Sequence, residues 1–261
     1  MLSALIKWGK KILLCLIICA MLTTNVGNAQ SNDYIKWSTS STITTSQMQQ
    51  RKCDIIVRAG EWTTNEIAKP GKRVYINGQT VNVPNDIPIR NDNDGKGFYI
   101  HEGDINKKIA TKVYNELKAR GVNVKLQIAS GKSEDLNASA RICNKSNPYI
   151  YLSLHHNSYN GNAKGYFSMY NQNDELGKQI ATRLSDSIKD NGQVSQRDNR
   201  ANANGYIGEL RYLNNTTRGV LMELGFFDHL SELEKICSDS YTDYVATHLA
   251  DELVKILNEI R

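Results

Sequence analysis

Two short apolar runs constrain this chain more than any other feature. The first, YIYLSLHHNS over residues 149–158, is aromatic or β-branched at most positions up to Leu154, follows Pro148 and gives way to a polar loop. Those marks predict a strand with His155 at its tip. The second, RGVLMELGFF over residues 218–227, predicts a strand that carries a lone carboxylate, Glu223, among apolar neighbours. An ionised carboxylate buried there costs on the order of several kcal/mol unless it is paired. Glu223 therefore needs a partner, either an arginine such as Arg211 or a divalent metal that would also give the carboxylate a water to deprotonate. For His155 and His156 the plain alternative to ligation is a hydrogen-bonded place in the core or at its rim.

Around these runs the pattern alternates between two periods. Residues 53–57 read as a first strand, 122–128 as another, and 165–170, 210–213 and 219–224 as three more. Between them, Ile105, Ile109, Val113 and Leu117 recur four apart and predict a helix over residues 102–120, stopped by Gly121. Further helices are expected over 134–144, capped by Ser133, over 174–189, and through most of 230–260. Asn77-Gly78, flanked by alternating residues in RVYINGQTVNV, signals a hairpin at the rim of a cleft. Strands alternating with amphipathic helices imply an α/β fold, a twisted and mostly parallel sheet with helices on both faces. Ligands of such sheets gather at the carboxyl ends of the strands, where Glu61, His155 and Glu223 are expected.

The amino terminus reads as a separate element. Lys7, Lys10 and Lys11 precede an apolar stretch over 12–22, and Gly27-Asn28-Ala29 offers small residues before a cut. This is the pattern of a secretory signal peptide over residues 1–29, its apolar part being shorter than the ~20 residues of a membrane span. A Ser/Thr-rich linker over 30–50 and a catalytic domain over 51–261 would follow. Cleavage would take the formal charge from +5 to +2 with the loss of three lysines. A nearly neutral chain gives no footing for nucleic acid. Cys53, Cys143 and Cys237 remain, without the spacing of a metal knuckle, and could form at most one disulfide.

Taken in order, these motifs resemble the type 3 group of zinc-dependent N-acetylmuramoyl-L-alanine amidases. EGDINKKIA, with Glu102, is similar to the family's helix-opening ligand motif; SLHHN, with His155, to its second-histidine strand; MELGFF, with Glu223, to the strand of its catalytic glutamate. Arg141 and LRYLNNTTRGVL also resemble the family. The departure is at the first ligand, where the family's Pro-Gly-His is replaced by Ala59-Gly60-Glu61. The resemblance implies a phosphorylase/hydrolase-like fold and metal ligands Glu61, Glu102 and His155. Zinc accepts carboxylate oxygen, and a site richer in carboxylate also tolerates harder ions such as manganese. His101 or His156 standing in for the missing histidine, and loss of the metal altogether, are the other readings of Glu61.

The activity implied is hydrolysis of the amide between N-acetylmuramic acid and L-alanine in peptidoglycan, with Glu223 as general base and then general acid. A metal-less wall-binding relative and a zinc peptidase acting on the stem peptide are the alternatives. The expected partner is peptidoglycan, met by a monomer that is secreted or held in the periplasm or cell envelope without stable membrane association, for remodelling of a cell's own wall or for lysis in the manner of an endolysin. No amphipathic plug lies between His155 and Glu223, so activity without an activator is expected. His156 is expected at the rim of the cleft, and His229 and His248 at the surface.

Overall fold

The structure is a computed structural model that describes residues 50–61, 72–76, 78–128 and 136–261. The expected signal peptide, nearly all of the linker, and Ser133 with Glu134 lie outside the described residues.

Six strands form the main sheet in the order β5-β1-β6-β9-β7-β8. They are β1 (Ile55–Ala59), β5 (Val124–Gln127), β6 (Ile150–Asn157), β7 (Phe167–Asn171), β8 (Arg200–Asn202) and β9 (Arg218–Phe226). β1 runs parallel to β5 and β6, and β6 parallel to β9, while β7 is antiparallel to β9. The helices are α1 (Glu102–Ala119), α2 (Leu136–Ser146), α3 (Glu175–Ser187), α4 (Gly208–Arg211), α5 (Leu230–Cys237) and α6 (Asp239–Ile260). The expected mostly parallel α/β sheet is present.

Because side chains alternate across a strand, each central strand feeds two different cores. Ile55 and Val57, Ile150 to Leu154 at every second position, and Val220 with Met222 and Leu224 pack into the large core with α1, α3 and α6. The intervening Ile56, Tyr151 and Leu221 join Cys53, Cys143 of α2 and Leu210 of α4 in a small second cluster. The polar residues Arg58, Ser153, His155 and Glu223 continue this second face toward the strand ends. Cys53, Cys143 and Cys237 are free and buried, so the optional disulfide among them is not formed.

Two expectations fail. The hairpin around Asn77-Gly78 does not close on itself: β2 (Arg73–Tyr75) pairs instead with the distant β4 (Phe98–His101), which also pairs with β3 (Ile89–Asn91). Gly78 is in the left-handed region, φ 76°, and Asn77 lies outside the described residues. Residues 210–213, read as a strand, belong to the short helix α4 and the turn after it. Their apolar residues face the second cluster rather than a strand neighbour, so a local apolar run was mistaken for a strand. The terminal helical region is also broken, between α5 and α6, by Ser238, whose side chain accepts from the Tyr241 N–H and caps α6.

Candidate metal centre and active site

His155 and Glu223 are direct register partners on β6 and β9 and share one face of the sheet. Glu61 follows the end of β1, with its backbone in the left-handed region at φ 52°. Such a conformation is strained for a residue with a side chain and is often met at functional sites. Glu102 opens α1 and reaches over the strand tips. The structure brings Glu61, Glu102 and His155 together, one ligand atom from each lying within 4.8 Å of the others, which could hold a metal ion. His101 is not part of this cluster, because its Nε2 is tied to Asp92 at 3.0 Å.

Glu102 is completely buried and uses its two oxygens differently. Oε1 accepts from Asn106 Nδ2 at 3.0 Å and from the His156 N–H at 3.1 Å, and lies 3.3 Å from His155 Nδ1. Oε2 has no hydrogen-bond partner, nor has Oε2 of Glu223. Buried oxygens are rarely left unpaired. The bare Glu102 oxygen, with the Glu61 carboxylate and His155 beside it, is a donor set a divalent cation would satisfy, so the residues fit the ion.

His155 is gripped from both sides. Its Nε2 lies 3.0 Å from Glu209 Oε1 and 3.1 Å from Ser153 Oγ, while Nδ1 faces Glu102. Glu209 Oε2 accepts from Arg58 at 3.1 Å, Tyr151 at 2.9 Å and Ser153 at 2.9 Å. Burial works against charge on His155, but Glu209 and Glu102 outweigh it and hold its pKa at about 10. Glu209, despite burial, is held well below the usual carboxylate range by Arg58 and His155. Burial raises Glu223 to about 7, with Glu102 adding to the rise and His155 and Lys72 opposing it. Burial and the nearby Glu102 also raise Glu61.

His156 is not a rim residue. It is buried on the opposite face, its pKa lowered by burial to about 3, and so neutral. Since Asn106 Nδ2 donates to Gly60 O and Glu102, Asn106 Oδ1 must accept, and the 2.7 Å contact makes His156 Nδ1 the donor. The bulge in the β6–β9 register after His155 adds a residue at the strand ends, where Phe227 N–H donates to Asn157 O at 2.9 Å. Arg211 lies over the Tyr212 ring, so it is not the partner of Glu223 that a purely structural reading required.

Sequence reasoning missed Glu209, Arg58, Asn106 and Lys72. Arg58 did carry a signal, a lone cation in the apolar IIVRA strand that demands a buried anion. Glu209 carried none, since GELR has no apolar periodicity around it.

Comparison with known proteins identifies the family. The family model described as N-acetylmuramoyl-L-alanine amidase matches residues 90–255, a stretch that includes Glu102, His155 and Glu223 and begins after Glu61. The chain is 23% identical over 188 residues to the germination-specific N-acetylmuramoyl-L-alanine amidase of Bacillus subtilis (strain 168), covering 64% of this chain and 76% of that one. The catalytic domain of CwlV, an N-acetylmuramoyl-L-alanine amidase from Bacillus (Paenibacillus) polymyxa var. colistinus, superposes with a TM-score of 0.60 at 17% identity, covering 79% of this chain and 98% of that one. The CwlD amidase of Clostridioides difficile, solved in complex with the GerS lipoprotein, gives 0.57 at 20% identity over 79% of this chain and 98% of that one. The chain belongs to the N-acetylmuramoyl-L-alanine amidase family. It is an enzyme of peptidoglycan, hydrolysing the amide bond between N-acetylmuramic acid and L-alanine. The family assignment favours this reading over a wall-binding relative or a stem peptidase. No helix among the described residues is long and apolar enough to cross a membrane.

Proposed function

We propose that the amidase works through a divalent metal held by Glu61, Glu102 and His155, zinc or a harder ion, with Glu223 as the base. The observation that carries this is the convergence of those three ligand residues, with one oxygen each of Glu102 and Glu223 left without a hydrogen bond. A bound dication would supply Lewis acidity toward the scissile carbonyl and the attacking water. Glu102 is fixed by Asn106 and the His156 amide so that Oε2 stays free. Glu209 accepts a hydrogen bond from the Nε2–H of His155 and so keeps the proton on that nitrogen, which leaves Nδ1 on the side of Glu102 as the ligating lone pair once His155 is neutral. Glu223 Oε2 takes the proton of water and delivers it to the leaving amine of L-alanine, a task suited to a carboxylate near neutrality.

Export fits a wall substrate. Residues 1–29 would act as a signal peptide and 30–50 as a linker, freeing a catalytic domain over 51–261 that works as a secreted or periplasmic monomer without an activator. The test is to purify the protein without added metal and incubate it with sacculi under zinc, manganese or chelator. Peptides with a new L-alanine amino terminus should appear with metal and not with chelator. Release that is indifferent to chelator would exclude the metal-dependent mechanism.

A further inference from the structure

Lys72 stands at the ligand cluster without belonging to it. Lys72 Nζ lies 3.7 Å from Glu102 Oε2, the oxygen that has no hydrogen-bond partner. Its backbone is anchored at the same place, because the Glu102 N–H donates to Lys72 O at 2.9 Å. The side chain retains 44% exposure, so it can shift when the oxygen it faces takes another ligand. Burial weakens the ammonium, but Glu102, Glu223 and Glu61 outweigh it and keep Lys72 charged.

We infer that Lys72 supplies the positive charge that Glu61 removes from the metal centre. Resting on the proposed metal site, the argument is one of charge. Glu61, Glu102 and a neutral His155 around a dication sum to zero, where two histidines and one carboxylate would leave one positive charge. The Lys72 ammonium at Glu102 restores that charge from outside the ligand set. It therefore acts on two quantities in opposite directions. It repels an incoming dication and weakens binding, and it stabilises the negative charge that develops on the carbonyl oxygen during attack. Lys72 is a positioning charge that works through Glu102.

The test uses Lys72→Met, Lys72→Arg and the double variant Glu61→His/Lys72→Met, with metal affinity read by chelator competition and kcat and KM on a soluble N-acetylmuramoyl peptide. Lys72→Met should bind zinc and manganese more tightly and turn over more slowly, each change being roughly tenfold for one charge at this range in a partly solvated site. KM should hold, Lys72→Arg should stay near wild type, and Glu61→His should restore kcat in the double variant. Loss of affinity and rate together in Lys72→Met would indicate a structural role and overturn the inference, as would no change in either or a double variant no faster than Lys72→Met. A wild-type protein that binds neither ion overturns the metal site itself and with it the role of Lys72, a result separable from the variants.

Discussion

His155 and Glu209, 54 positions apart in the chain, meet at 3.0 Å between Nε2 and Oε1, so the imidazole's far nitrogen is held by a carboxylate while its near nitrogen faces the ligand cluster. Glu209 is in turn held by Arg58, whose side chain is 5% exposed. Replacing Glu209 by Gln should weaken metal binding roughly 10- to 100-fold, the usual cost of removing a ligand's supporting carboxylate. Glu209→Ala should also destabilise folding by about 3–5 kcal/mol, because the buried Arg58 loses the carboxylate it is paired with. Chelator competition and urea unfolding measure the two effects separately.

Metal uptake should release a proton. Without metal, His155 has a pKa of about 10 and is an imidazolium at neutral pH, yet only the neutral ring can ligate. Calorimetric titration in buffers of different ionisation enthalpy should show about one proton released per ion at neutral pH, with affinity rising with pH until His155 is neutral. No buffer dependence would contradict ligation by His155.

Glu223→Gln should lower kcat by about 10²–10⁴-fold while metal binding persists. The base acts deprotonated, so activity is lost as pH falls through its pKa. Burial places that value at about 7, and a bound dication pulls it down, so the acid limb of kcat/KM should lie at or below this pH. A limb well above it would assign the base elsewhere.

Gly60→Ala should disable the site without touching a ligand. A methyl group at Gly60 would overlap the His155 ring, so the imidazole or β1 must move. Expected are a stability loss of about 1–3 kcal/mol and a fall in metal affinity, read by thermal unfolding with and without zinc. Unchanged affinity would show that His155 can ligate from a displaced ring.

The strands β1, β6 and β9 and the helix α1 were legible in local pattern, because burial on both sheet faces leaves a compact apolar run and burial on one helix face leaves a repeat of four. His155 and Glu223 were legible for the same reason, as polar residues that such runs cannot bury unpartnered. Glu102 came from motif resemblance alone, and Glu61 from that resemblance together with its place after the first strand. What no local pattern carries is which distant residue answers a buried charge. β2 chose β4 over its own sequence neighbour, apolar residues of α4 faced a small cluster instead of a strand, and His156 turned into the α1 side of the sheet to orient Asn106. Glu209 and Lys72 sit in polar segments with no periodic signature, and they reach the centre only because strand alternation and the packing of α1 and α4 bring Arg58, His155 and Glu102 to them.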